Sequence, residues 1–193
     1  MQYIHHTPCG AYLAYNIINM LQLSNSIVNI PVMSLRTGGL VATAKQLIIN
    51  PNNLKIEGWH CEDQFSKQTL VLLTKDVRDI VPQGLAIDDY DRLSETDDLI
   101  RLQEILQLNF ELIGKHVITD AKRKVGKVAD YAADMTTFMI QKLYISQPVY
   151  RNFTGGQLSV DRSQIVEITT THITVRDVDI KVGSAVPAIL GIR

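Results

Sequence analysis

Apolar and polar residues alternate along much of the chain, in short runs separated by turn signals. In the first half the runs lie at 27–50, 54–61, 69–74 and 76–90. Two-residue alternation with many β-branched side chains is typical of half-buried strands. The pattern predicts a hairpin around Gly38-Gly39, a tight turn at Asn50–Asn53, and a last short strand after a Pro-Gln-Gly turn.

The apolar period changes between Ser94 and Glu111. Apolar residues recur there at roughly helical spacing, at Leu99, Leu102, Ile105, Leu106 and Leu108. Ser94 followed by Asp97 resembles a capping box, in which side chains bond the free backbone N–H groups at a helix start. The acidic first turn also suits the helix dipole. We therefore predict one α-helix at Glu95–Leu108.

Strand patterns resume after this connector. Alternating runs lie at 115–120, 125–134, 138–146, 157–169 and 171–177, with a loop rich in glycine and polar residues at 152–157. Runs of this length, with turn signals every 8–12 residues or so, are typical of a small antiparallel barrel or sandwich. Apart from the one helix, the chain is expected to be all-β.

The two strand-rich stretches resemble each other. Asp76 precedes the pair Ile80-Val81 by four residues, and Asp161 precedes the pair Ile165-Val166 by four. A short turn and a last alternating strand follow both pairs, and the stretches upstream share a glycine, a Val-Ala pair, a turn and a strand. With gaps allowed, we interpret this as an internal duplication on either side of the connector.

The second stretch opens with a succession of short motifs. It runs through Ile113-Gly114-Lys115-His116-Val117, a polar turn at Thr119–Lys124, Val125-Gly126-Lys127-Val128, and then Asp130 and Asp134. This succession resembles the start of a PRC-barrel domain, the small barrel of the photosynthetic reaction-centre H subunit and of the ribosome maturation factor that acts on the small subunit. The resemblance covers about 112–177 and, with larger departures, 30–89. The family often has a glycine in the first turn, where this chain has Ala121–Lys124.

The expected fold is therefore all-β: two small antiparallel PRC-type β-barrels joined by one α-helix. Glycines suit such a barrel because its strands bend sharply and pass close to one another. The expected divisions are an N-terminal extension at 1–25, a PRC-barrel-like domain 1 at 26–92, a connecting helix at 93–110, a PRC-barrel-like domain 2 at 111–180, and a C-terminal tail at 181–193.

Composition and charge exclude some function classes. The 193 residues include 19 basic and 20 acidic ones, so no overall charge directs the chain to nucleic acid or an anionic membrane. Two cysteines form no disulfide framework, and no stretch has the pattern of a normal signal peptide or a transmembrane helix, which predicts a cytoplasmic protein without membrane insertion. The five histidines and the glycine pairs lack zinc-site and phosphate-loop spacing. We predict no metal, no cofactor and no enzymatic activity.

Two groups of residues are candidates for binding a partner. The first is basic and lies in and around the polar turn: Lys115, Lys122, Arg123, Lys124 and Lys127. At a hairpin tip such residues can meet phosphates or an acidic protein, or serve only as a solubilising turn. The second is Tyr150, Arg151 and Phe153, which add aromatic rings and an arginine to an expected loop. A loop aromatic can also fold back over the end of a barrel.

The resemblance implies a non-catalytic adaptor or binding module that acts in protein–protein interaction. The alternative is a ribosome maturation-like factor that binds ribosomal protein or rRNA of the small subunit. That factor places a different N-terminal barrel before a single PRC barrel, whereas this chain has two PRC-like copies, which argues against equivalence. The sequence does not identify the partner, and the apolar stripe of the connector leaves a homo-oligomer open.

Overall fold

The structure is a computed structural model that describes residues 21–147 and 158–177. Strands account for most of these residues, as the sequence pattern predicts. They are β1 (Leu21–Leu23), β2 (Ile30–Ser34), β3 (Leu40–Asn50), β4 (Lys55–Asp63), β5 (Thr69–Leu73), β6 (Val77–Val81), β7 (Gly84–Ile87), β8 (Leu93–Ser94), β9 (His116–Thr119), β10 (Lys124–Asp134), β11 (Met139–Ser146), β12 (Leu158–Asp161), β13 (Ile165–Ile168) and β14 (His172–Val175). The α-helix within these ranges, α1, spans Gln103–Leu108.

The two halves of the chain pair their strands in the same order. We define repeat 1 as β2–β7 and repeat 2 as β9–β14. The hydrogen-bonded order is β6-β7-β2-β3-β4-β5 in repeat 1 and β13-β14-β9-β10-β11-β12 in repeat 2. The pairs β2–β7 and β9–β14 are parallel, and the other pairs within each repeat are antiparallel. This agreement supports the duplication inferred from sequence.

Irregularities of the strands also recur at matching positions. β3 has a bulge between Ala44 and Gln46, and β10 has one between Val128 and Asp130. Each position in the second bulge lies 84 residues after its equivalent in the first. Leu54 and Phe138, related by the same offset, both have a positive φ, of 53° and 56°. Bulges and positive φ angles are backbone features. The repeats therefore share their backbone path even where their side chains differ.

The repeats join at the turns that follow β3 and β10. The Ile56 N–H donates to the Phe138 carbonyl at 2.7 Å, and the Ile140 N–H donates to the Leu54 carbonyl at 3.0 Å. Ile56 and Ile140 are equivalent positions in the two repeats, as are Leu54 and Phe138. Each repeat therefore donates to the other through the same pair of positions, so the junction has the pattern of a two-fold axis. Because it links β4 to β11, all fourteen strands belong to one mixed sheet.

Strand pairing leaves both repeats open. Among the described residues β5 is not paired with β6, and β12 is not paired with β13; 3₁₀ turns at Thr74–Asp76 and Arg162–Gln164 join these strands. The second turn also divides 157–169, which the sequence pattern predicted as one strand. The expectation of purely antiparallel strands was incomplete because β7 and β14 return beside the first strand of their repeats. Hydrophobic alternation carries no information on strand direction.

The connector is less helical than predicted. Leu93–Ser94 pairs with β5, and 3₁₀ turns at Thr96–Asp98 and Ile100–Leu102 precede α1. The prediction of one helix over Glu95–Leu108 was wrong for its first part, and no side chain caps the first turn, so the expected capping box is absent. Leu99, with φ −93° and ψ 58°, interrupts the helical backbone between the two turns. No helix in the described part of the chain is long and apolar enough to cross a membrane.

One apolar core runs through both repeats, and Trp59 lies within it. This side chain is fully buried. Its indole N–H donates to the Ile27 carbonyl at 2.8 Å, and its ring packs nearly perpendicular to that of Phe138 with a centroid separation of 6.0 Å. Trp59 of β4 thereby connects the segment before β2 with a turn of repeat 2.

The first turn of repeat 2 has a lysine where repeat 1 has a glycine. Gly38 has a φ of 69°, and Lys122, at the offset of 84 residues, has a φ of 58°. Because a side chain in the left-handed region costs about 1 kcal/mol, Lys122→Gly should raise the free energy of unfolding by roughly 0.5–1 kcal/mol in urea denaturation. Ala121→Gly, at a neighbour without a positive φ, is the control and should lower it. Equal losses from both changes would contradict the described turn.

Candidate interaction site

Three loops of repeat 1 meet at one end of its strands. The Leu35 N–H donates to the Ile87 carbonyl at 2.8 Å and the Arg36 N–H to the Asp88 carbonyl at 3.1 Å, which joins the loop after β2 to the end of β7 and the residue that follows it. The Gln64 N–H donates to the Val41 carbonyl at 3.0 Å, which joins the loop after β4 to the start of β3. These backbone bonds fix the loops relative to the strands that carry them.

Asp63 organises the loop between β4 and β5. Its Oδ2 accepts hydrogen bonds from the Ser66 hydroxyl at 2.5 Å and from the Ser66 N–H at 2.7 Å. These bonds, the hydroxyl first, hold the pKa of the buried Asp63 carboxyl below its usual value. The carboxylate is therefore charged at neutral pH, and the bonds from Ser66 offset part of the cost of burying it. The loop turns back at Lys67, which has a φ of 59°.

Large apolar side chains stay exposed on these loops and at the start of β3. The exposed fractions are 61% for Leu35, 41% for Leu40, 74% for Phe65 and 39% for Tyr90. The rings of Phe65 and Tyr90 meet edge to face, with centroids 6.0 Å apart. We name these four side chains the loop surface. Single exposed apolar residues are common, whereas a group of them at one end of a protein is a candidate interaction site.

Charges beside the loop surface are neutralised within the protein. Arg36 pairs with Asp89 at 2.7 Å, and Arg78 makes two bonds of 2.7 Å to Asp88. The hydrogen bond from Arg78 holds the pKa of the Asp88 carboxyl below its usual value. Since these charges already have partners, the loop surface presents mainly apolar contact, which depends little on salt.

The structure separates the basic residues that the sequence places in one turn. Lys122–Lys124 form the tip of the β9–β10 hairpin, where Arg123 is ion-paired with Asp177. Lys115 and Lys127 lie at the opposite end of the hairpin. The five side chains therefore do not form one basic surface, and the name basic tip is kept for Lys122–Lys124.

Lys115 has structural contacts. Its ammonium group lies 4.4 Å from the centroid of the Phe110 ring and donates to the Thr170 carbonyl at 2.5 Å. A cation over an aromatic face is attracted by the ring quadrupole. Lys115 therefore ties the segment before β9 to the turn before β14.

Tyr150, Arg151 and Phe153 lie outside the described residues, and their role in partner contacts stays a prediction. In chain order they belong to the segment between β11 and β12. Its counterpart in repeat 1 is the segment between β4 and β5, which carries Phe65.

Nucleophilic chemistry at Cys61 is disfavoured. The side chain is 1% exposed, and burial raises the pKa of the thiol to about 12. At neutral pH the group is a thiol, whereas the thiolate is the reactive form. Within 21–147 and 158–177, no group of three or more His, Cys, Asp and Glu residues could hold a metal ion.

Sequence reasoning did not select Leu35, Phe65 or Tyr90. Phe65 is the one apolar residue in a polar stretch between two predicted strands. An isolated aromatic residue in a polar loop is the sequence signal that could have indicated its exposure. Leu35 and Tyr90 each follow an apolar run and resemble the continuation of a strand. Their exposure depends on how the three loops pack, which a local pattern does not encode.

A comparison with known protein-family models finds no match for the chain, and a search of curated proteins finds no similar sequence. The resemblance to PRC-barrel domains therefore rests on the motifs of the sequence itself.

Proposed function

We propose that the protein is a non-catalytic adaptor of PRC-barrel type that binds another protein through the loop surface of repeat 1. The observation that carries the proposal is the exposure of four large apolar side chains, three on loops that meet and Leu40 at the adjoining start of β3. In this interpretation the two repeats are PRC-type barrels held together at the β4–β11 junction, and they present their loops as binding surfaces.

The energetics favour a protein partner at the loop surface. Each Å² of apolar surface removed from water contributes about 25 cal/mol, and aromatic side chains in the centre of an interface are frequent hot spots. Phe65 is the most exposed member, and its edge contact with Tyr90 restricts the ring before binding. Loss of a hot-spot side chain costs about 2 kcal/mol or more, which is roughly a thirtyfold loss of affinity.

A ribosome maturation-like function is favoured by a different observation, the basic tip. Lys122 and Lys124 are exposed, and Arg123 adds a third positive charge that Asp177 partly neutralises. Such a tip can contact rRNA or an acidic surface of a ribosomal protein. Binding of this kind weakens steeply as salt is raised, because it releases condensed counterions.

Affinity capture from the native lysate, at low and high salt, tests the first proposal. We expect the wild-type protein to retain a specific partner protein at high salt and Phe65→Asp to lose it. Ile113→Asp is the matched control, because Ile113 is also an exposed apolar residue, 51% exposed, but lies outside the loop surface. It should retain the partner.

Two outcomes would contradict the adaptor proposal. One is capture of the same partner by Phe65→Asp as well as by the wild type. The other is recovery of ribosomal subunits that disappear at high salt and on changing Lys122, Arg123 and Lys124 to Glu, which would favour the ribosomal alternative. Circular dichroism of each variant would show that it is folded.

A further inference from the structure

A groove lies between the connector and the strands of repeat 1. It has a volume of about 510 Å³ and is formed by the start of β4, the end of β5 with the 3₁₀ turn that follows, and the connector. We name it the connector groove, and its lining residues are Lys55, Glu57, Leu73, Thr74, Lys75 and 98–102. The loop surface begins beyond Asp63, at the other end of β4, so the two surfaces are separate.

Aliphatic side chains form the apolar part of the connector groove. Leu73, Leu99 and Leu102 are half-buried, so each still presents surface to a ligand. Ile100 is 81% exposed, the largest exposed fraction among the large apolar residues in the described part of the chain. Removing such surface from water contributes about 25 cal/mol for each Å². The groove therefore has an apolar surface that a partner can bury.

Hydrogen bonds fix the connector beside the groove. β8 pairs with β5, which holds the start of the connector against the sheet. The Leu102 N–H donates to the Leu99 carbonyl at 2.9 Å, and the side-chain amide of Gln103 donates to the Thr96 carbonyl at 2.7 Å. These two bonds close the backbone on both sides of Ile100. Its side chain is therefore held outward before a partner arrives, which reduces the ordering cost of binding.

The connector is acidic where it borders the groove. Arg101 is the one basic residue from Ser94 to Glu111, and the acidic residues in this stretch are Glu95, Asp97, Asp98, Glu104 and Glu111. All five acidic side chains are exposed. In the ranges that the structure describes, none of the five forms an ion pair. Their negative charge is therefore free to attract a partner.

Basic residues at the groove do not cancel this charge. Lys55 is ion-paired with Glu57 at 3.5 Å, which leaves Lys75 and Arg101 as the other cations of the lining. The lining residues and the connector up to Glu104 together carry five acidic side chains and three basic ones. The net charge around the groove is therefore negative.

We propose that the connector groove binds a basic amphipathic helix of another protein. Its apolar side chains would occupy the groove, and its lysine or arginine side chains would face the carboxylates of the connector. A helix with apolar residues at i, i+3, i+4 and i+7 presents them on one face with basic residues beside them. Such a helix matches both the apolar lining and the negative charge, whereas an acidic helix matches only the first. This site does not depend on the loop surface.

Fluorescence anisotropy on the full chain tests the proposal with a labelled peptide of leucine and lysine, about 14 residues long, with leucines at the spacing of one helix face. In about 50 mM salt it should bind at least about tenfold more tightly than two reference peptides. One has glutamate in place of lysine, which tests the charge. The other has glycine in place of leucine, which tests the apolar face.

Variants locate the bound peptide. Ile100→Lys should weaken binding at least about tenfold, because it removes apolar contact and adds a like charge. Asp97→Asn/Asp98→Asn should weaken it about fivefold in about 50 mM salt and less in about 300 mM, because salt screens the lost attraction. Val166→Lys makes the same change at a residue of repeat 2 that is 55% exposed, and should bind within about twofold of wild type. Phe65→Asp should do the same, so this proposal and the adaptor proposal can fail separately.

Four results would overturn the proposal: no binding by wild type, equal binding of the glutamate peptide, equal losses in Ile100→Lys and Val166→Lys, or loss of binding in Phe65→Asp. Light scattering of the protein alone examines a second copy as the occupant. A dimer that Ile100→Lys converts to a monomer would also overturn the proposal. If circular dichroism shows that Ile100→Lys disturbs the fold, the uncharged variant Ile100→Ser should still weaken binding, and unchanged binding by it would count against the site.

Discussion

Trp59→Ala should lower the free energy of unfolding by about 3–5 kcal/mol, as truncation of a buried tryptophan does in other cores. Trp59 is fully buried, contacts Phe138, and donates to the Ile27 carbonyl. The change opens a cavity where the two repeats meet and leaves that carbonyl without its donor. Because domains of this size have a total stability of about 5–15 kcal/mol, the variant should be close to unfolding, and urea or thermal denaturation measures the loss.

Two variants separate burial from aromatic character. Trp59→Phe keeps a ring but removes the indole N–H, so it should cost about 1–3 kcal/mol through the unpaired Ile27 carbonyl. Phe65→Ala removes an aromatic ring that is 74% exposed, and its effect should stay within about 0.5 kcal/mol. A loss of less than about 1 kcal/mol for Trp59→Ala would show that this side chain does not occupy the described core.

Gly126→Ala should cost about 3 kcal/mol, the upper end of the usual range for overpacking. A Cβ atom at this position would lie 2.1 Å from the Ser146 carbonyl oxygen and 2.8 Å from Ile145 Cγ2. The first contact is with backbone, so no rotation of a side chain relieves it. The strands β10 and β11 would have to separate along their pairing, which chemical denaturation would detect as a lower midpoint.

Two other glycines provide matched controls. Gly114 has open space around its Cα but a φ of 84°, so Gly114→Ala should cost about 1–2 kcal/mol through the backbone alone. Gly39 has neither constraint, with the nearest atom to an added Cβ at 3.5 Å, and Gly39→Ala should be within about 0.5 kcal/mol of wild type. If Gly126→Ala is tolerated as well as Gly39→Ala, the close approach of β10 and β11 is wrong.

Divergence between the repeats accounts for the two proposed surfaces. The same strand order carries an apolar loop surface in repeat 1 and the basic tip in repeat 2. The backbone path, including its bulges, is common to both, so the difference lies in side chains that the fold leaves unconstrained. Variants at either surface should therefore change binding with little effect on stability.

The sequence alone determined the elements that local pattern encodes. Alternation located most strands, the paired motifs around Asp76 and Asp161 revealed the duplication, and the spacing of Gly114 and Gly126 indicated a hairpin. The structure contains these features, because each depends on residues close together in the chain. The two glycines look alike in sequence, each followed by lysine, yet one is required by its φ angle and the other by the Ser146 carbonyl. The two cases can be told apart only when the position of β11 beside Gly126 is known.

Tertiary structure decided the rest. Pairing of β8 with β5 holds the start of the connector extended, which overrides the helical spacing of its apolar residues. Parallel pairing brings His116 beside His172, and loop packing brings Phe65 beside Tyr90, although each pair is far apart in the chain. The same pairing separated Lys115 and Lys127 from the basic tip. The candidate site of this protein is built from residues that are far apart in the chain. Hydrophobic periodicity indicates which face of a strand or helix is buried, but it does not indicate which other strand or helix packs against that face.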